Sequence, residues 1–194
     1  MHTPTIPVPA DNTWTLFLDR DGVINVETVG SYVTRWEEFT FCEGVLNAWE
    51  TLSGLFGRIV VVTNQRGVGR GIMSFEALRD IHARMKTAIT EHGGRVDGIY
   101  ACTAVEDDDE NRKPNTGMAM QAKEDFPEID FRKSVIVGNS LSDMSFGKRL
   151  GMRTVFLTSK HPPFPLPHEL IDEQHPSLQA WTRSLRTATL TQQG

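Results

Sequence analysis

Cysteine is nearly absent: Cys42 and Cys102 are the only two among 194 residues. A pair of thiols makes neither a disulfide framework nor a metal cluster. Reduced side chains in a reducing, cytoplasmic setting are a simpler reading than a bridge. Long hydrophobic runs are also missing, so no segment approaches a membrane span. The opening MHTPTIPVPADNT carries no apolar stretch of the secretory type. Nor is there an excess of basic charge. The formal net charge of -5 speaks against a nucleic-acid platform, which presents a basic face, but leaves room for a local pocket that takes a small anion. No internal repeat is visible. What remains is a soluble globular composition, 39% hydrophobic, at a length that suits one domain with a substantial core.

Along the chain, short apolar runs alternate with helical periodicities. Residues 1–13 are rich in Pro and Thr and read as a flexible arm, which leaves 14–194 as a single domain. WTLFLD (14–19) suits a buried strand. In EGVLNAWETLSGLFG the residues Val45, Trp49, Leu52 and Phe56 recur at helical spacing. RIVVVTN (58–64) is β-branched and apolar throughout, as in a strand covered on both faces. Ser74 is placed to cap a long helix with Phe75, Leu78, Ile81, Met85 and Ile89 on one face, ending at Gly93–Gly94. The alternation continues with strands at 96–104, 134–139 and 153–158 and helices at 116–126 and 142–150, the last with Ser142 as its cap. A Pro-rich surface passage (160–175) precedes a final amphipathic helix at 176–185. Such alternation predicts an α/β fold: a Rossmann-like parallel sheet with helices on both faces.

In sheets of this kind ligands bind beyond the carboxyl ends of the strands, and the polar residues gather there. Asp19 and Asp21 follow the first strand, Thr63, Asn64 and Gln65 the second, Arg112–Lys113–Pro114 the third, and Asn139–Ser140 the fourth. Singly, each group has a plain structural reading: a turn, a glycine-rich connection, a solvated loop, a helix start. Together, in this order, they suit phosphoryl transfer. An aspartate can attack phosphorus and split hydrolysis into two steps, while a second acid protonates the leaving oxygen and then activates water. Lys113, the Thr63 hydroxyl and backbone amides offset the phosphoryl charge, and oxygen-only ligands favour magnesium. His82 and His92 lie near the packed stripe of the long helix and read as packing or surface groups. Arg66 can meet either a substrate phosphate or solvent.

LDRDGVIN, VVTNQRGVGRG, RKPNTGM and VGNSLSDM resemble the four motifs of the haloacid dehalogenase superfamily, over residues 14–158. Within it, the chain is similar to the group that holds the D-glycero-D-manno-heptose 1,7-bisphosphate and histidinol-phosphate phosphatases. YVTRWEEFTFCEGV (32–45) resembles the heptose enzymes in particular. The resemblance implies a magnesium-dependent phosphatase acting on a small phosphorylated sugar. Asp19 is then the nucleophile and a metal ligand, and Asp21 the general acid/base with its carbonyl on the metal. Thr63 and Lys113 hold the transferring group. Asn64, Gln65, Arg70 and Arg112 contact the rest of the substrate, and Asp143 supports the metal site from behind.

Two departures stand out. The metal-ligand position of the fourth motif, usually aspartate, is Asn139. The loop that carries a cysteine-rich zinc site in many relatives keeps only Cys102, so no structural zinc is expected and the acidic run Asp107 to Glu110 reads as a solvated loop. The insert after the first strand is about twenty residues, too short for a cap domain, so specificity falls to the loops 26–42, 64–73 and 105–115. Histidinol phosphate, a polynucleotide 3′-phosphate and a non-catalytic sugar-phosphate-binding role are the alternatives.

Overall fold

The computed structural model describes residues 12–28, 30–159 and 161–191, with side chains as far as 185. The segment Thr15–Leu18 is buried at every position, which leaves its backbone groups no partner except neighbouring strands. It forms β1, flanked by β2 (Arg58–Asn64) on one side and β4 (Ser134–Gly138) on the other. Beyond them lie β3 (Gly98–Cys102), β5 (Arg153–Leu157) and β6 (Glu173–His175). The sheet has six strands in the order β3-β2-β1-β4-β5-β6, and every pairing is parallel.

Side chains of a strand alternate between faces, and here the alternation divides two cores. Leu16, Leu18, Val61 and Val137 enter one with Trp49 of α1 (Val45–Leu55), Ile81 and Met85 of α3 (Phe75–Glu91) and Trp181 of α6 (Leu178–Thr191). Phe17, Val60, Val62 and Ile136 enter the other with Met118 and Ala119 of α4 (Gly117–Asp125) and Phe146 of α5 (Leu141–Leu150). Each fully buried Leu, Ile or Phe here contributes about 1.5–3 kcal/mol. The chain leaves β1 to build one half of the sheet and returns at β4 to build the other. The order therefore reverses between β1 and β4, which opens a crevice at their carboxyl ends.

The expected alternation is present, with several corrections. The strand expected over 96–104 is shorter, Gly98–Cys102. Phe75, placed on the packed face of the long helix, is 54% exposed, because it lies in the first turn ahead of that face. α5 is capped by Ser140 rather than Ser142: Asp143 N donates to Ser140 Oγ at 3.3 Å, and Asp143 Oδ2 accepts from Ser140 N at 3.1 Å. This reciprocal box satisfies two otherwise orphaned amides. The passage 160–175 ends in a strand, because the Asp172 carboxylate accepts from Thr154 N at 2.9 Å and brings β6 alongside β5. A further short helix, α2 (Arg66–Gly69), occupies what reads as a glycine-rich connection. The final helix runs on to Thr191. Residues 1–11 of the expected N-terminal arm lie outside the described residues.

Candidate active site

Asp19 is the first residue beyond β1, and its amide extends the ladder by donating to Val137 O at 3.0 Å. The chain then turns sharply, with Ile24 N donating to Arg20 O at 2.8 Å. Gly22 makes the turn at φ +82, and a Cβ there would fall 2.0 Å from Asn139 Nδ2. Glycine thus lets Asn139 lie directly over the Asp21–Gly22 backbone. Gly138 serves Asp143 likewise, since a Cβ would fall 2.3 Å from Asp143 Cβ. Together these elements enclose a cavity of ≈ 230 Å³, whose lining includes Asp19, Asp21, Asn64, Gln65, Lys113, Asn139 and Asp143. Glu27, Thr28, Ser31, Tyr32 and Val33 supply the opposite wall from the insert after β1.

Lys113 sits at the base of the cavity. Its Nζ lies 2.8 Å from Asp19 Oδ1, 2.6 Å from Asp143 Oδ1 and 2.8 Å from Val62 O. Burial opposes its charge, but the two carboxylates prevail and hold the ammonium above its usual range. Asp19 fares differently. Burial pushes its pKa up to about 7, against the attraction of Lys113 and with added repulsion from Asp143. One ammonium shared between two buried carboxylates does not compensate both.

Asp21 is held in the opposite sense. Burial would raise its pKa, but both carboxylate oxygens accept from Arg20 Nη2 at 2.9 Å, and further bonds come from Asn25 at 2.9 Å and Gln65 at 2.8 Å. These donors bring it below the usual carboxylate range. Arg20 itself is 1% exposed, and its Nη1 donates to His82 Nε2 at 3.2 Å. His82 is kept neutral, its pKa driven down to about 3 by burial and the adjacent guanidinium.

Three of the residues given a role at the site do not line the cavity. Thr63 lies just beneath, buried, its Oγ1 accepting from Gln65 Nε2 at 2.8 Å. Arg70 is exposed and donates to the Tyr32 hydroxyl at 3.2 Å. Arg112 turns toward Asp107, 3.3 Å away. Arg20, Asn25 and Glu27 carry no assigned role in the sequence reading, yet all three meet site residues. Asn25 stands four positions after Asp21 across a tight turn, a spacing that brings it back onto the carboxylate. Arg20 offers no such signal, because a residue between two acids reads equally well as pointing to solvent. His82, read as a packing or surface group, packs against that buried arginine.

The donors fit a magnesium ion. The set is oxygen-based: the Asp19 carboxylate, the Asp21 carbonyl and the Asn139 amide, with Asp143 behind them. The rise at Asp19 marks a surplus of buried negative charge that a cation would relieve. Asn139 Nδ2 donates to Glu27 Oε2 at 3.2 Å, which brings one more carboxylate to this edge of the cavity. Among the described residues no cluster of three or more His, Cys, Asp or Glu has the arrangement of a metal site, so the fit rests on this mixed set.

A sequence model of the family described as polynucleotide kinase 3 phosphatase matches residues 16–153, from β1 to the start of β5. The chain belongs to this family. It is a phosphatase of the haloacid dehalogenase-like kind, and it shares the fold of a solved had-like phosphatase that is 32% identical to it. A Mycobacterium tuberculosis protein named D-glycero-alpha-D-manno-heptose-1,7-bisphosphate 7-phosphatase is 38% identical over 70% of this chain and 72% of its own. The enzyme of the same name from Campylobacter jejuni is 33% identical over 76% and 84%. A Vibrio cholerae relative named for the beta anomer is 37% identical over 73% and 79%. Among solved structures, the D,D-heptose 1,7-bisphosphate phosphatase from B. bronchiseptica, complexed with magnesium and phosphate, superposes with a TM-score of 0.79 at 27% identity, covering 90% of this chain and 99% of that one. The family's description thus comes from nucleic-acid chemistry and the names of these relatives from sugar chemistry.

Proposed function

We propose that the protein is a magnesium-dependent phosphatase that removes the 7-phosphate of a D-glycero-D-manno-heptose 1,7-bisphosphate through a phosphoaspartate. The observation that carries this reading is the juxtaposition of Asp19, Lys113 and Asp21 at the base of one cavity, in a chain whose curated relatives share that named activity. The Asp19 carboxylate attacks phosphorus, and the bond to the sugar oxygen breaks as the bond to Asp19 forms. Lys113, 2.8 Å from the nucleophile's Oδ1, would offset the charge on the phosphoryl oxygens. Water then attacks the phosphoaspartate, Asp21 takes its proton, and inorganic phosphate leaves with Asp19 restored. The base half of this role is the one Asp21 is set for, since its donors favour the carboxylate. Protonating the sugar oxygen in the first half requires one of those donors to let go. Asp19, the Asp21 carbonyl and Asn139 would hold magnesium, which when bound offsets charge on the transferring group.

The family's description favours a second reading, a polynucleotide 3′-phosphatase. The net charge of -5 weighs against it, as does the acidic lining of the cavity. The thiols Cys42 and Cys102 suit a reducing compartment, and we place the protein in the cytoplasm. Among the described residues no helix is long and apolar enough to cross a membrane. Phosphate release from both anomers of the heptose bisphosphate, from histidinol phosphate and from a 3′-phosphorylated oligonucleotide decides among the readings. The heptose bisphosphates should lead in kcat/KM; a lead by the oligonucleotide would reverse the assignment.

A further inference from the structure

Glu27 reaches the edge of the reaction cavity from the insert after β1. The chain leading to it is held firmly. Val26 N donates to Thr40 O at 2.8 Å, and Cys42 N donates to Ile24 O at 2.9 Å. Asn25, fully buried, donates through Nδ2 to Val26 O at 3.0 Å and to Asp21 Oδ1 at 2.9 Å. The backbone beside Glu27 is thereby tied to the turn that carries Asp21. From this support the Glu27 carboxylate meets β4's extension, where its Oε2 accepts from Asn139 Nδ2 at 3.2 Å.

An asparagine side chain has two ends of nearly the same shape and opposite chemistry: an oxygen that accepts and an NH2 that donates. A hard cation takes the oxygen and is repelled by the amide protons. Asn139 can therefore serve a metal in only one of its two orientations, whereas an aspartate has no wrong end. Two features select the orientation. A carboxylate accepts and does not donate, so Glu27 takes Nδ2 and refuses the carbonyl. Gly22 makes room for the same nitrogen, since a Cβ there would lie 2.0 Å from it. With Nδ2 seated between Glu27 and the bare Gly22 backbone, the carbonyl oxygen is the end left to a cation. Glu27 itself is half-buried and also borders a second cavity, of ≈ 390 Å³, whose lining includes Gly22, Val26 and Cys42. Solvent on that side offsets the cost of placing a carboxylate next to the site.

We propose that Glu27 is a positioning residue for the metal: it holds the Asn139 amide with its oxygen toward the cation, and so lets a neutral side chain serve at that position. The proposal deepens the magnesium reading and rests on it. A partner that orients a metal ligand in this way typically changes metal affinity by about 10–100-fold. Glu27 also brings a negative charge to the edge of the cavity, and the two contributions are separable. Glu27→Gln keeps an acceptor for Nδ2 without the charge. Glu27→Met, of similar length, removes both.

The test is calorimetric titration with magnesium, in the absence of substrate, of the full-length wild type, Glu27→Gln, Glu27→Met and Asn139→Ala, with circular dichroism to verify folding. The two Glu27 substitutions are then repeated in Asn139→Asp. Glu27→Met should weaken magnesium binding about tenfold and Glu27→Gln only about threefold, because the orienting bond is restored. In the Asn139→Asp protein, where both ends of the side chain are oxygens, the two substitutions should have equal effects. Equal weakening by Glu27→Gln and Glu27→Met in the presence of Asn139 would overturn the orienting role and leave Glu27 as a nearby charge. The magnesium reading fails separately, if the wild type takes up no magnesium or if Asn139→Ala binds it as tightly as the wild type. Weakened binding in Asn139→Ala beside unchanged binding in Glu27→Met would overturn the role of Glu27 alone.

Discussion

At the scale of single residues, the site is a problem in distributing charge. Asp19, Asp143 and Lys113 share one buried space, and the pKa of Asp19 is pushed from 3.8 up to about 7, burial being the main cause. A carboxyl raised in the folded state costs stability as pH climbs from its unfolded value through its folded one. Without magnesium, Asp19→Asn should therefore raise the melting temperature at pH 8 and change it little near pH 4, while phosphate release is lost. A lower melting temperature at pH 8 would show that Asp19 is not the strained member. Asn139 poses the complementary case. Its amide donates to Glu27, so a carboxylate there would face Glu27 with like charge. Asn139→Asp should lower stability in the absence of metal and tighten magnesium binding about tenfold, or about 1.4 kcal/mol, measured by calorimetry. Equal affinities in the two proteins would exclude position 139 as a ligand. That Asp19, Asp21, Lys113 and Asn139 meet at one cavity was legible in the sequence, because each follows a strand of a parallel sheet and polar side chains gather at that edge. Arg20 and Glu27 were not, since a charged residue in a loop shows its destination only once the loop is folded.

At the scale of elements, α3 reaches the site through one side chain. His82 accepts from Arg20, which grips Asp21, so the helix props the turn after β1 from behind. The pKa of His82 is driven down to about 3. Below about pH 6.5 the unfolded chain takes up a proton that the folded one refuses, so stability is lost as pH falls from there toward 3. His82→Gln removes that proton and keeps an acceptor for Arg20. Its stability relative to wild type, from urea denaturation, should improve by about 1–2 kcal/mol between pH 7.5 and pH 5. A difference independent of pH would mean that His82 titrates normally in the folded protein. Strands and long helices were readable because burial on two faces or on one stripe leaves a periodic trace. β6 and α2 left none. β6 is three residues placed by Asp172, a contact made from a distant part of the chain, and α2 is four residues rich in glycine. The cap at Ser140 was missed by two positions because both serines precede the same apolar run and only Asp143 chooses between them.

At the scale of the whole molecule, the parallel sheet places its functional edge where the strand order reverses, and no separate cap is needed to close it. The insert after β1 forms one wall, while α1 and α6 lock the far side through Trp181, 0% exposed, its ring centroid 6.1 Å from that of Phe56. Trp181→Ala should cost about 3–5 kcal/mol in urea denaturation, a large share of a typical domain's stability. A loss below about 1 kcal/mol would mean that α6 is not part of the cooperative core. The central claim is that this architecture exists to present Asp19 to phosphorus. The most direct measurement is to react the wild type and Asp21→Asn with heptose 1,7-bisphosphate and magnesium, quench in acid, reduce with borohydride and map the modified residue by mass spectrometry. A phosphoaspartate becomes homoserine under that treatment. The account predicts homoserine at position 19 in the wild type, and in Asp21→Asn only when p-nitrophenyl phosphate, whose leaving group needs no acid, replaces the sugar phosphate. Turnover by the wild type with no modification at position 19 in either protein would contradict it.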